Sequence, residues 1–255
     1  MHTPTVYLFL VFWASLLAGA MNAVAGGGTL VAFPSLLFAG VSPVVANATT
    51  SLGLWPSAAT GGWVYRKEIT TPKKVVLALV ASSILGGFTG AWLLLHTPDL
   101  VFHELIPPLL LFASTLFTAS SWVRRMAERT SLSRKRLAAL AVLGQFGVAI
   151  YGGYFGAAMG VFMLALFSLT LGGTIHSMNG VRTWCGTAVN TTAIVVFLFG
   201  HRIDWPIAGI MAAGAIAGGV MGAMSMRRLN PLIARRVVLA VAWTMTIVYI
   251  AKMGL

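Results

Sequence analysis

The chain has 255 residues, of which 58% are hydrophobic and 9% charged, and its formal net charge is +12 at pH 7. A soluble domain carries about 25% charged residues, so the composition excludes a water-soluble globular protein and predicts an all-α protein that crosses a membrane many times. The positive charge does not indicate nucleic-acid binding, because the basic residues form short clusters between apolar stretches. That arrangement is the positive-inside pattern of membrane proteins.

Glycines, prolines and charge clusters divide the chain into ten apolar segments. Most of them reach the roughly 20 residues that a helix needs to cross a bilayer. The second and the seventh are about two-thirds of that length, and each follows a glycine-containing break, "AGGGT" in one case and "GAAMG" in the other. The predicted segments are 5–24, 28–40, 43–64, 74–95, 104–123, 137–155, 159–172, 174–199, 206–226 and 232–251.

The two short segments belong to an internal repeat. A shift of 132 residues places "GGFTGA" at 86–91 on "GGVMGA" at 218–223, and it also joins several single residues. A constant offset of this kind indicates a duplicated unit. The motifs themselves have small residues four apart, the close-packing pattern of membrane helices. The matched single residues are Gly28 and Gly160, Gly40 and Gly172, Asn47 and Asn179, and Thr60 and Thr192.

The repeat divides the chain into an N-terminal half at 1–125 and a C-terminal half at 133–255, joined by a linker at 126–132. Loop charge predicts that the halves are inverted. The basic loop Arg66–Lys74 is expected inside, and its near-neutral counterpart "GHRIDW" outside. This alternation requires an odd number of crossings in each half, so we predict five segments per half and both termini outside. The alternative is that the short segments re-enter without crossing.

Arg182 is the exception among seventeen Lys and Arg residues, since the others fall in loops or near segment ends. It lies about eight residues into its segment, roughly 12 Å along a helix, where an arginine costs at least ~2.5 kcal/mol. All five acids are expected in loops, so no carboxylate partner is predicted within the membrane. A guanidinium fork suits two oxygens of a carboxylate, sulfonate or sulfite. The alternatives are backbone carbonyls at a broken helix, or snorkelling.

Polar residues surround Arg182 at helical spacing. Asn179, Arg182 and Thr183 share one helix face, and the repeat-related positions form a second polar face. Two such faces meeting between the halves would line one central pocket, although interhelical hydrogen bonds are an alternative role for such residues. The second face consists of Asn47, Thr50 and Ser51, and the residues for which both roles are equally weighted are Thr60, Asn190, Thr191 and Thr192.

The glycine breaks add candidate ligands at the start of each short helix. Amides at a helix N-terminus favour anions, and glycine allows a ligand to approach the backbone. We therefore include Gly27, Gly28 and Thr29 in the first half and Gly160 in the second, with hinge or packing roles as the alternative.

The stretch "NAVAGGGTLVAFPSLLFAGVSPVVANATTSL" resembles the N-terminal motif of the TauE/SafE family of sulfite and organosulfonate exporters. The "GHRIDWPIA" and "AGGVMGA" stretches resemble the second half of that family. The match departs from the family at "GAAMG", where a fuller glycine run is usual, and at Leu166, where proline is common. The resemblance implies an inner-membrane transporter that moves small sulfur-containing anions out of the cell.

We therefore predict a secondary transporter in the plasma membrane that exports a small oxyanion by alternating access, with lipid as its other partner. An anion channel and a transporter of small carboxylates are alternatives. An enzyme is disfavoured, because the sequence contains no HExxH, no paired acids and no Cys–His neighbourhood, and no cofactor or metal site is predicted. The oligomeric state is left open, a homodimer included.

Overall fold

The computed structural model describes residues 5–24, 27–127 and 133–225, and parts of the last segment: 236, 239–240, 243–244, 246–248 and 250–251. Within these residues the chain is all-helical. The helices are α1 (Thr5–Val24), α2 (Thr29–Phe38), α3 (Pro43–Tyr65), α4 (Lys73–Leu95), α5 (Asp99–Ala127), α6 (Arg134–Tyr154), α7 (Met159–Thr170), α8 (Ile175–Phe199) and α9 (Trp205–Ser225), with a 3-10 turn at Arg66–Glu68.

The helix bounds agree with the predicted segments to within three residues, except at α5, which covers Asp99–Ala127 rather than 104–123. An acidic residue in the first turn is favourable because it faces the positive end of the helix dipole. As a result Asp99 and Glu104, which were both expected in loops, lie in the first two turns of α5. The tenth segment falls largely outside the described residues, and those of its residues that are described are helical.

Five helices in the described part of the chain are long and apolar enough to cross a membrane: α4 and α8 in full, and the stretches Asp99–Leu116, Arg136–Tyr154 and Trp205–Gly222. The helices α2 and α7 have 10 and 12 residues. At 1.5 Å per residue they are about 15 and 18 Å long, so neither spans a bilayer as a helix alone. The protein is thus a polytopic membrane protein with two short helices.

Contacts along the helices fix their relative directions. Ser82 of α4 donates to the carbonyl of Val142 in α6 at 2.8 Å, and further along both helices Gly90 packs against the Ile150 carbonyl. Because both residue numbers rise together, α4 and α6 are parallel. The same argument makes α1 parallel to α9, where the close approaches are Gly214 to Phe12 and Gly218 to Leu16.

The directions of α3 and α8 show where the chain turns back. Along α3 and α9, the Asp204 amide donates to the Thr49 hydroxyl at 3.0 Å and Gly53 lies against Met211, so α3 is parallel to α9 and hence to α1. The intervening segment with α2 must therefore carry the chain back towards the side where α1 began.

The helix directions in the second half come from another set of contacts. Gly87 of α4 packs against Val189 of α8, and Leu95 packs against Gly200, which makes α8 parallel to α4 and α6. The segment containing α7 therefore returns the chain between α6 and α8. The helices α3 and α8 are antiparallel, since Trp55 donates to Thr191 while Thr70, just beyond α3, donates to Ser177 at the start of α8.

Small residues bring the parallel pairs close together. In α4 a side chain at Gly90 would overlap the α6 backbone, and in α9 a side chain at Gly218 would overlap the α1 backbone. Both glycines belong to the six-residue motifs of the repeat, so these motifs act in helix packing, as the sequence predicted. Another contact joins the halves: Ser114 and Thr246, both buried and 132 residues apart, share a hydrogen bond of 3.0 Å.

Candidate functional site

Arg182 lies half-buried in α8, beside the first turn of α7. A Cβ atom built on Gly160, the second residue of α7, would lie 3.0 Å from the Arg182 Nη1 atom. The structure therefore brings together two residues that the sequence proposed as ligands. The guanidinium lies against a glycine because no side chain at that position pushes it away.

The α7 N-terminus is held by a strained break in the chain. Ala158 has a left-handed backbone with φ 58°, and Gly156 has φ 75°. The Tyr151 hydroxyl donates to the Ala157 carbonyl at 2.8 Å and so fixes the break. Among the described residues no side-chain hydrogen bond caps this helix. The positive end of the α7 dipole and the Arg182 charge therefore lie side by side, an arrangement that favours an anion.

The corresponding break in the first half is filled by the protein itself. The Gly28 amide donates to the Asn22 Oδ1 atom at 2.9 Å, and Gly28 packs against the Ala18 carbonyl. Gly27 is buried with φ 92°, a conformation that glycine adopts without strain, and Thr29 is half-buried. Because Asn22 already binds the Gly28 amide, this helix end has one fewer donor for a ligand than the sequence suggested.

Asn47 and Thr50 are buried near the break that follows α6. Asn47 is 2% exposed and donates from Nδ2 to the Tyr154 carbonyl at 3.1 Å, which ties α3 to the end of α6. The Asn47 Oδ1 atom and the Thr50 hydroxyl have no hydrogen-bond partner among the described residues. Buried polar atoms in this state are costly, so this region has hydrogen-bonding capacity for water or a ligand.

Ser51 and Thr183 have a local role in the structure. The Ser51 hydroxyl donates to the Asn47 carbonyl at 2.9 Å, and the Thr183 hydroxyl donates to the Asn179 carbonyl at 2.7 Å. These two bonds occupy equivalent positions of the repeat. A hydroxyl has one hydrogen to donate, so in this conformation neither side chain can also donate to an anion.

The two polar faces do not meet in one central pocket. Measured from the Trp55–Thr191 contact, Asn47 lies about 12 Å towards the start of α3, and Arg182 lies about 14 Å towards the start of α8. Since α3 and α8 are antiparallel, these are opposite directions. Thr49 accordingly contacts Asp204 at one end of the pair, whereas Ser177 contacts Thr70 at the other. Whether the two helix faces meet depends on helix direction, which the pattern within one helix does not specify.

Asn22, Tyr154 and Trp55 were not recognised from the sequence. They contact the candidate residues Gly28, Asn47 and Thr191, respectively. A signal for two of them existed, since Asn22 and Tyr154 occupy equivalent positions of the repeat and each precedes a break. His176 lies outside the Arg182 face. It is at the start of α8, where its side chain is 66% exposed and its ring is 3.4 Å from the Glu68 carboxylate.

Comparison with known proteins identifies the family. The family model described as Sulfite exporter TauE/SafE matches residues 11–249. The chain belongs to the TauE/SafE family. It is therefore a membrane transporter, in agreement with the resemblance in its glycine motif.

Curated relatives of this TauE/SafE member carry general names. The probable membrane transporter protein YfcA of Escherichia coli K12 is 26% identical over 220 residues, covering 84% of this chain and 79% of the relative. A probable membrane transporter protein of Haemophilus influenzae is 23% identical over 239 residues, covering 94% and 92%. The probable membrane transporter protein ORF9 of Sinorhizobium sp is 26% identical over 217 residues, covering 84% and 81%. No solved structure matches the chain.

Proposed function

We propose that this TauE/SafE protein is a secondary transporter that exports small sulfur-containing anions, such as sulfite and organosulfonates, and that Arg182 binds the anion. The observation that carries the proposal is the guanidinium of Arg182 beside Gly160 at the N-terminus of α7. The family name supports the substrate class, because it describes a sulfite exporter.

The binding chemistry follows from the donors at this place. The guanidinium presents N–H groups in a planar fork that matches two oxygens of a sulfite or sulfonate group. Amides in the first turn of α7 supply further donors of fixed orientation. An anion bound here is attracted by a positive charge that lies within the membrane, where electrostatic attraction is stronger than in water.

The transport cycle uses the two halves as inverted repeats of five segments each. Helices α1 and α3 of the first half run opposite to their counterparts α6 and α8, and the packing of α1 on α9 is repeated by that of α6 on α4. Inverted repeats support alternating access, in which one half rocks against the other around a bound substrate. The Ser114–Thr246 hydrogen bond joins equivalent positions and lies where a pseudo-two-fold axis would pass.

The direction of transport follows from the membrane potential. With the basic loops inside, the site is in a plasma membrane whose interior-negative potential favours anion exit by about 2.3 kcal/mol per charge per 100 mV. Export on this basis needs no coupling ion. Both termini are outside in this orientation, as the loop charges predict.

The test is sulfite efflux from proteoliposomes held at a set potential. Efflux should rise with an interior-negative potential, and Arg182→Gln should lower it about tenfold or more, the effect of losing charge-assisted hydrogen bonds to the substrate. Arg202→Gln is the matched control, because it removes an arginine beyond the other end of α8. Equal efflux by the Arg182 and Arg202 variants would contradict the binding role, and efflux that requires a proton gradient would contradict the uncoupled mechanism.

Competition assays define the substrate class in the same liposomes. Taurine and sulfoacetate should compete with sulfite, because each presents a sulfonate group to the guanidinium fork. Stronger competition by small carboxylates than by sulfonates would favour the carboxylate transporter instead. An anion current that does not saturate as the sulfite concentration rises would indicate a channel.

A further inference from the structure

A groove opens between α4 and α6 at the end of the molecule where both helices begin. Its volume is about 550 Å³, and its walls are formed by Val75 and Ala78 of α4 and by Ala138, Ala139 and Val142 of α6. The walls are almost entirely apolar. Further along the two helices, glycines such as Gly90 bring the backbones into contact, so the groove is open at one end of the pair and closed at the other.

The open end of the groove is basic. Lys74 forms part of the lining, and Lys73, Lys74 and Arg136 are all exposed to the surroundings of the protein. Arg136 is more than 60 positions from the two lysines in the chain, and it shares one end of the molecule with them because α4 and α6 are parallel. The nearby acid Glu68 is oriented towards His176, at 3.4 Å.

The surface around the groove faces the bilayer. Leu77 is 71% exposed and Leu143 is 72% exposed on the two flanking helix faces. An apolar groove that opens towards lipid and ends in exposed cations has the chemistry of a phospholipid: a hydrocarbon chain for the walls and a phosphate for the lysine. A zwitterionic headgroup offsets its phosphate with its own cation, so the basic rim favours a lipid of net negative charge.

We propose that this groove binds an anionic phospholipid of the surrounding membrane, with one acyl chain between α4 and α6 and the headgroup phosphate at Lys74 and Arg136. The site does not depend on the transport mechanism, since it is on the outer face of the α4–α6 pair and Arg182 is in α8 beside α7. The repeat offers an internal comparison: the position equivalent to Lys74 is Pro206 in α9. The α1–α9 pair therefore lacks the lysine on which the headgroup contact depends.

Native mass spectrometry of the purified protein tests this site. Phosphatidylglycerol and phosphatidylcholine with identical acyl chains are titrated separately, and the dissociation constant of the first bound lipid is measured for each. The wild type should bind phosphatidylglycerol about fivefold more tightly, the effect of roughly one basic residue near an anionic headgroup. Lys74→Gln should remove this preference, and Ala139→Phe, which fills the groove, should weaken binding of both lipids.

Lys67→Gln is the matched control, because it removes an exposed lysine from the preceding 3-10 turn without altering the groove. This variant should keep the preference for phosphatidylglycerol. Equal affinity of the wild type for the two lipids would overturn the proposal, as would equal losses in the Lys67 and Lys74 variants, which indicate a diffuse basic surface. Displacement of the lipid by glycerol phosphate alone would also overturn it, since the groove would then recognise a free phosphate ester.

Discussion

Gly160 is important to the site because it has no side chain. Its position in the first turn of α7 lets the Arg182 guanidinium approach that end of the helix. Any larger residue would occupy the space next to Nη1. The atom displaced would be the end of a flexible side chain rather than backbone, so the anion site should be affected more than the fold.

Gly160→Ala is expected to raise the half-saturating sulfite concentration several-fold while the thermal unfolding midpoint stays close to that of the wild type. The added Cβ atom would lie 3.0 Å from Arg182 Nη1, which is tight enough to shift the guanidinium. Gly147→Ala is the control, because a Cβ atom there meets nothing within 4 Å. An unchanged half-saturating concentration in the Gly160 variant, measured by uptake in proteoliposomes, would argue against this site.

At the scale of helices, packing is controlled by where small residues fall. Gly218 of α9 lies against the backbone of Leu16 in α1, whereas Gly209 of the same helix has open space where its side chain would be. In a membrane, helices associate through close packing and not through the hydrophobic effect. Loss of one close approach should therefore separate α1 from α9 along several turns.

Gly218→Val should lower the thermal unfolding midpoint by about 5 °C or more. The valine side chain would overlap the α1 backbone, and overpacking of this kind typically costs about 1–3 kcal/mol of unfolding free energy. Gly209→Val introduces the same side chain in the same helix and should leave the midpoint nearly unchanged. Both variants are compared with the wild type in one detergent. A similar decrease in both would mean that valine itself, through its helix propensity, is responsible.

At the scale of the whole molecule, the direction of each helix follows from a few contacts. Parallel pairs α1–α9 and α4–α6, together with the antiparallel pair α3–α8, require that the segments containing α2 and α7 return the chain between longer helices. Equivalent positions in the two halves should then lie at opposite faces of the membrane.

Lys67 and Phe199 are equivalent positions of the repeat and both are exposed, Phe199 to 84%. In a Cys185→Ser background, a membrane-impermeant maleimide should label Phe199→Cys in intact cells and Lys67→Cys only after permeabilisation. Buried Cys185 is removed because it is the native cysteine. Labelling of both positions from the same side would contradict the inverted arrangement, and labelling from exchanged sides would reverse the orientation.

The sequence by itself determined the helices, the two glycine breaks, the repeat and the unusual position of Arg182, because hydrophobic length, breakers and charge act locally along the chain. The tertiary structure decided which of these features meet. Gly160 meets Arg182, Asn22 occupies the Gly28 amide, and the Asn47 and Arg182 faces lie in opposite directions from the α3–α8 contact. The lysine-ended groove also needed α4 and α6 to be parallel. Helix direction and close packing depend on residues far apart in the chain, and a pattern within one helix does not contain that information.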